Sequence, residues 1–181
     1  KEKISLIIMA GGLGKRLNPI SNIIPKPLIP IKDKPIVQII IENFKIYFNI
    51  QTTVSLNYKS ELIKSYFLNE LKHLKPFEFI TEKKPLNTIG ALSLLKNKNI
   101  SENFFVSNCD IICSADYNEM LKFHVLNKFD ITLLTASHIT EIPYGCCILN
   151  KDNKSLKTII EKPKYKNNVN IGLYILNKRV L

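Results

Sequence analysis

An α/β fold built on a parallel or mixed sheet is predicted by two patterns that alternate along this chain. Short runs rich in β-branched and aromatic residues (Thr52-Thr-Val-Ser-Leu56, Phe77-Glu-Phe-Ile-Thr81, Asp130-Ile-Thr-Leu-Leu-Thr-Ala136) are separated by stretches whose apolar residues recur at helical spacing. With 181 residues, 45% of them hydrophobic, the chain can bury a core of its own, and one domain over residues 1–181 is expected.

The first element is Leu6-Ile-Ile-Met-Ala10, an apolar run that reads as a buried strand. It gives way abruptly to Gly11, Gly12 and Gly14 and then to Lys15 and Arg16. Glycines without a Cβ let a ligand lie against main-chain N–H groups, and the two cations suit a polyanion. Two familiar nucleotide motifs fail on spacing. A Walker A loop needs a hydroxyl residue after its lysine, but Lys15 is followed by Arg16; a dinucleotide fingerprint on Gly12 and Gly14 needs a third glycine where Leu17 stands. By itself the loop is either a glycine turn or an anion cradle.

Asn18-Pro19 and the proline-studded segment from Pro25 to Pro35 cannot be helix interior and are expected to run extended across the sheet, with Lys26 aimed by the prolines on either side of it. Ile36 to Phe48 is dense enough in apolar residues for a helix buried on a wide face. Glu61 to Leu71 predicts a second helix, with Leu62, Ile63, Tyr66, Phe67 and Leu71 on its inner face. After the strand Phe77–Thr81, Pro85 ends the run, Thr88 is a candidate helix cap, and Gly90 gives room for a flat base to approach. Phe104-Phe-Val-Ser-Asn-Cys-Asp110 sets Asp110 just past a strand, where a carboxylate either caps the turn or serves a metal. Asp116 to Lys128 predicts a third helix through Met120, Leu121, Val125 and Leu126. Pro143–Leu149 and Ser155–Ile160, joined by Asn150-Lys-Asp-Asn-Lys154, predict a hairpin, and Val169–Ile175 a last strand.

Composition excludes other classes. The net charge of +11 comes from lysines scattered through every segment, without the basic stripe or clustered aromatics of a nucleic-acid binder. Cys109, Cys113, Cys146 and Cys147 show no Cys-x-x-Cys spacing and read as reduced thiols of a cytoplasmic protein. His73, His124 and His138 read as structural or solvated, and no covalent-nucleophile arrangement stands out. The apolar stretch after Lys1-Glu-Lys3 is too short for a signal peptide, and no segment reaches the roughly 20 apolar residues of a membrane helix.

The string Ala10-Gly-Gly-Leu-Gly-Lys-Arg-Leu-Asn-Pro19, followed by Pro25-Lys-Pro-Leu28, resembles the signature of the sugar-phosphate nucleotidylyltransferases. Tyr144-Gly145, Glu161-Lys162-Pro163 and Asn170-x-Gly-x-Tyr174 resemble that family's further motifs in the same order. The resemblance implies a three-layer α/β/α sandwich around a mixed, mainly parallel central sheet, a Rossmann-like nucleotidyltransferase fold. It implies transfer of a nucleoside monophosphate from a triphosphate to a sugar 1-phosphate with release of pyrophosphate, and Mg²⁺ as cofactor.

By the same resemblance, Arg16, Lys26 and Asp110 are the catalytic residues, with Asp110 on the metal. Ala10, Gly11, Gly12, Gly14, Lys15 and Arg16, with Pro85, Asn87, Thr88 and Gly90, hold the nucleotide; Tyr144, Gly145, Glu161, Lys162 and Asn170 hold the sugar phosphate. Asn87 and Ile89 depart from the small residues usual in the base segment. The glycine loop together with Asn57-Tyr-Lys59 is most similar to guanylyltransferases of bacterial sugar and nonulosonate pathways, which implies GTP over UTP, dTTP or CTP. The family's second metal carboxylate follows the Asn-x-Gly-x-Tyr strand, so a chain ending at Leu181 is expected to be a fragment that lacks it. The contrasting class is a catalytically silent nucleotide-sensing module attached to a regulatory domain ahead of residue 1. A homo-oligomer is compatible with either.

Overall fold

The computed structural model of the protein describes residues 1–82, 86 and 90–181. Its chain forms two compact units, Lys1–Leu133 with Gly172–Leu181, and Leu134–Ile171.

The first unit is organised by β1 (Lys3–Met9), whose apolar run is buried along nearly its whole length. It pairs in parallel with β4 (Asn49–Leu56) on one side and β6 (Asn103–Asn108) on the other, and β4 pairs in parallel with β5 (Phe77–Thr81). β10 (Lys164–Asn177) joins β6 antiparallel through Leu173–Asn177. With β7 (Ile131–Glu141) at the edge the order is β5-β4-β1-β6-β10-β7. The mixed, mainly parallel sheet expected from the sequence is therefore present, though β4, β7 and β10 are longer than their β-branched runs suggested.

Alternation along the paired strands divides the sheet into two faces. Phe105 and Phe79 point to one face, where α1 (Ile36–Tyr47), α2 (Ser60–Asn69) and α3 (Tyr117–Leu126) pack. Phe44 of α1 meets Phe105 edge-on at 5.0 Å and stacks on Tyr117 of α3 at 4.2 Å, while Phe67 of α2 stands edge-on to Phe77 and Phe79. On the other face Ile7, Phe104, Val106 and Leu176 pack with Leu92 and Leu95 of the 3₁₀ segment Ala91–Leu95. These are the three layers.

Three expectations need correction. In α2 the inward stripe is Ile63 and Phe67, four residues apart, and Leu62 points outward. In α3 the buried stripe is Tyr117, Met120, Leu121 and His124, the i, i+3, i+4, i+7 face; Val125 and Leu126 fall off it, and Leu126 is 80% exposed. Asp116 caps α3 by accepting from the N–H groups of Asn118 and Glu119 at 2.9 and 3.1 Å. The proline-rich excursion is not wholly extended: 3₁₀ turns Ile20–Asn22 and Lys26–Leu28 interrupt it before β2 (Pro30–Ile31) and β3 (Lys34–Pro35) form a short antiparallel pair.

In the second unit, β8 (Cys146–Leu149) and β9 (Leu156–Ile160) form the predicted hairpin. All four cysteines are free. Among the described residues no helix is long and apolar enough to cross a membrane.

Candidate functional site

The sheet order turns at β1. From β1 the chain builds outward through β4 to β5 on one side, and β6 lies on the other. In open α/β sheets a crevice opens at the carboxyl ends of strands at such a point. Here it is a cavity of about 500 Å³ lined by the glycine loop after β1 and by Asn108, Cys109 and Asp110 at the end of β6.

The loop is fixed at both ends. Ala10 is buried and its N–H donates to the Ser55 carbonyl at 2.9 Å; Leu17 N–H donates to the Gly14 carbonyl at 2.8 Å, closing the 3₁₀ turn Lys15–Leu17. The three glycines have different reasons to be glycine. Gly14 has φ +65°, and a Cβ there would lie 3.2 Å from Ser21 Cβ. At Gly11 a Cβ would come within 2.6 Å of Glu82 Oε1. At Gly12 it would meet nothing within 4 Å, so the fold itself does not require that glycine.

Lys26 begins a turn between Pro25 and Pro27, and its Nζ lies 2.6 Å from Asp110 Oδ2. Two residues given separate roles by the sequence are thus joined in one ion pair on the cavity wall, with Lys15 and Arg16 lining the same space. Cys109 is buried beside them; burial first, and the neighbouring Asp110 charge second, push its thiol up to about 12. Asn108 is backed by Gly172, whose φ is +84° and whose Cβ, if present, would overlap the Asn108 side-chain amide. Sequence reading had Gly172 only as the fixed glycine of the Asn170-x-Gly-x-Tyr174 motif.

It also passed over Glu82. This acid follows directly on β5, is 7% exposed, and lines the cavity. Ser55 Oγ donates to its Oε1 at 2.8 Å and Leu86 N–H to its Oε2 at 3.0 Å, while Asn57 Nδ2 donates to its main-chain carbonyl at 2.8 Å. The available signal was its place just beyond an alternating strand, the same signal that singled out Asp110.

Pro85, Asn87 and Thr88 lie outside the described residues. Gly90 leads into Ala91–Leu95 and faces Leu86, whose Cβ would be 2.9 Å from a Cβ at position 90; it is not among the residues lining the cavity.

Within the second unit, Tyr144, Gly145, Glu161 and Lys162 are brought together at the end of the hairpin. Lys162 N–H donates to the Tyr144 carbonyl at 3.3 Å, Lys162 has φ +45°, and a Cβ at Gly145 would lie 2.9 Å from Glu161 Oε2. The group presents a carboxylate, an ammonium and an exposed phenol together, chemistry that suits hydroxyls and phosphate. Asn170 lies on β10.

The Nucleotidyl transferase family matches residues 5–181 of the chain. A probable mannose-1-phosphate guanylyltransferase 3 of Oryza sativa subsp. japonica is 32% identical over 185 residues, covering 97% of this chain and 50% of the relative. The mannose-1-phosphate guanylyltransferase catalytic subunit beta of Drosophila melanogaster is 33% identical over 180 residues, covering 97% and 48%. The chain spans about half the length of these relatives. Among solved structures, HddC from Yersinia pseudotuberculosis superposes with a TM-score of 0.74 at 27% identity over 98% of this chain and 78% of that one; HddC complexed with GMP-PN gives 0.73 at 26%, with the same coverage.

Proposed function

Given that the chain belongs to the nucleotidyl transferase family, we propose that it joins a nucleoside triphosphate, GTP by preference, to a sugar 1-phosphate, giving a nucleoside-diphosphate sugar and pyrophosphate. The observation that carries this reading is the convergence of the Gly11–Gly14 loop with the Lys26–Asp110 pair on one cavity at the carboxyl ends of β1 and β6. The guanylyltransferase names of the relatives support GTP and make mannose 1-phosphate the first acceptor to try.

The chemistry asks little of protein bases. A phosphate oxygen of the sugar 1-phosphate attacks the α-phosphorus, the bond to the bridging oxygen breaks, and pyrophosphate leaves. Both reactants are competent, so alignment and charge neutralisation carry the rate. Loop N–H groups at Gly11, Gly12 and Gly14 receive the triphosphate oxygens, and Lys15 and Arg16 offset their charge. Lys26 exchanges its ion-pair partner, from the Asp110 carboxylate to a phosphate oxygen, as the nucleotide enters. Tyr144, Gly145, Glu161, Lys162 and Asn170 are the residues that, by the family resemblance, would hold the sugar phosphate.

Mg²⁺ is the expected cofactor. The donor set suits it: Mg²⁺ takes one or two carboxylates and completes its shell with phosphate oxygens and water, and Asp110 offers a hard, partly exposed carboxylate on the cavity wall. Asp110 would hold it, and when bound it would neutralise phosphate charge and align the two substrates. The free cysteines suit a reducing compartment, and we place the protein in the cytoplasm.

Pyrophosphate release, measured with each of the four triphosphates against several sugar 1-phosphates, tests the reading. Release with GTP and mannose 1-phosphate above the other pairs is expected. Tight nucleotide binding without release from any pair would favour the silent nucleotide-sensing module instead, and neither binding nor release would remove both readings.

A further inference from the structure

We propose that a second cavity, at the amino-terminal end of β6, is an anion site that takes a phosphate-sized oxyanion between His124, Lys128, Asn103 and Arg179. The proposal stands on this cavity alone and is independent of the nucleotidyl-transfer reading.

The cavity has a volume of about 180 Å³ and is lined by Asn103 at the start of β6, by His124 and Lys128 in and just after the last turn of α3, and by Asn177 and Arg179 at the end of β10 and beyond it. β6 runs from Asn103 here to Asn108 in the nucleotide cavity, so the two cavities lie at opposite ends of one strand. Pockets for drug-sized ligands begin at about 300 Å³, so this one suits a small ion or a single phosphate group.

A buried side chain in its wall points to a ligand. His124 is 1% exposed; its Nδ1 lies 2.7 Å from Thr132 Oγ1, while its Nε2 is buried with no hydrogen-bond partner among the described residues. An unmatched buried polar atom is costly to a fold, and a ligand that meets it removes that cost.

The surrounding chemistry selects an acceptor. Lys128 Nζ enters no ion pair among the described residues. Arg179 gives Nε to Asp130 and Nη2 to the Lys128 carbonyl at 2.9 Å, and a guanidinium has further donors to offer. Asn103 Oδ1 accepts from Asn177 Nδ2 at 3.0 Å, which leaves its own Nδ2 as the donating end. No carboxylate lines the cavity: Asp130 is held by Arg179, and Glu102 accepts from Asn177. The last carbonyls of α3 would repel an anion, but those of Phe123, His124 and Val125 already accept from the N–H groups of Asn127, Phe129 and Lys128. Donors and positive charge therefore face the cavity. With the Thr132 hydroxyl donating to Nδ1, His124 adds Nε2–H to them.

The test is nitrogen NMR of the imidazole rings near neutral pH during titration with sodium phosphate, with sodium chloride holding the ionic strength constant. The His124 signals are those missing from His124→Gln. Phosphate is expected to move His124 Nε2 saturably to the position of a protonated ring nitrogen, with a midpoint on the order of 1 mM. Lys128 is left-handed at φ +53°, a conformation that asparagine tolerates, so Lys128→Asn removes the ammonium and keeps the turn. Its midpoint should rise at least about 10-fold. Methyl phosphate separates two sources of the group: a midpoint equal to that of phosphate identifies the end of a phosphomonoester, one about 10-fold higher identifies free phosphate, and both uphold the site. No saturable shift of His124 up to about 50 mM phosphate would overturn the proposal, as would saturation with Nε2 left unprotonated. An unchanged midpoint in Lys128→Asn would overturn it as well. Should that variant fail to fold by circular dichroism, the wild-type titration decides.

Discussion

Replacing Gly12 and Gly14 separately by alanine distinguishes a glycine kept for a ligand from one kept for the fold. At Gly14 the backbone is left-handed at φ +65° and the new methyl would lie 3.2 Å from Ser21 Cβ. A left-handed alanine costs about 1–2 kcal/mol, and in a chain of this size each kcal/mol lowers Tm by about 2–4 °C. Gly14→Ala should therefore melt about 2–8 °C below the wild type. At Gly12 the methyl meets nothing within 4 Å. Stability should hold or rise by up to about 1 kcal/mol, since alanine restricts the unfolded chain. The methyl would, however, project into the space that a bound phosphate or sugar fills. Forcing one methyl into a packed contact costs about 1–3 kcal/mol, which is about a 5- to 150-fold loss of nucleotide affinity. Thermal melts followed by circular dichroism and calorimetric titration with GTP measure both quantities on the same samples. If Gly12→Ala binds the triphosphate as tightly as the wild type, no ligand lies against that part of the loop and the cradle reading fails. If Gly14→Ala melts with the wild type, the left-handed turn is not what holds the loop.

The Lys26–Asp110 pair is partly exposed and contributes at most about 1 kcal/mol, so Asp110→Ala should keep its melting behaviour while losing Mg²⁺-dependent pyrophosphate release; wild-type turnover would remove Asp110 from the chemistry. Lys26→Ala should lower turnover by about 100-fold or more, whereas Lys34→Ala, whose partner is Glu42 at 2.8 Å, should change it little; equal effects would remove Lys26 from the site. Burial, then Arg179, hold the His124 imidazole below its ordinary pKa, against an opposing pull from Asp130. The unfolded chain therefore takes up a proton near pH 6.5 that the folded protein refuses, so this contribution is complete above that pH and lost as pH falls below it. The drop in Tm between pH 8 and pH 5.5 should be smaller in His124→Gln than in the wild type; identical slopes would refute the linkage. Cys109, buried with its thiol raised to about 12, should resist Ellman's reagent at pH 8 in the native protein, and exposed Cys147 should react first, as peptide mapping of the labelled sites would reveal.

Much of this molecule is written in local pattern. Apolar alternation and helical spacing locate the strands and helices because each element must turn a continuous face to the core. The Gly-Gly-x-Gly-Lys-Arg run and the acid after β6 are legible because strand ends carry ligands in α/β sheets. Pattern gives the period of a helix and leaves the choice of face to packing. In α3 the stripe that docks on Phe44 and the sheet includes His124, so Val125 and Leu126 are turned outward despite their hydrophobicity.

By itself, then, the sequence determined the alternation of elements and the candidacy of the glycine loop and of Asp110 for the site. The tertiary structure decided which residues share the cavity. Ser55, Glu82 and Gly11 come from three different strand ends, and Gly172 supports Asn108 from within β10. Such groupings depend on the order of strands in the sheet, and that order is fixed by the mutual packing of distant segments, which no local pattern records.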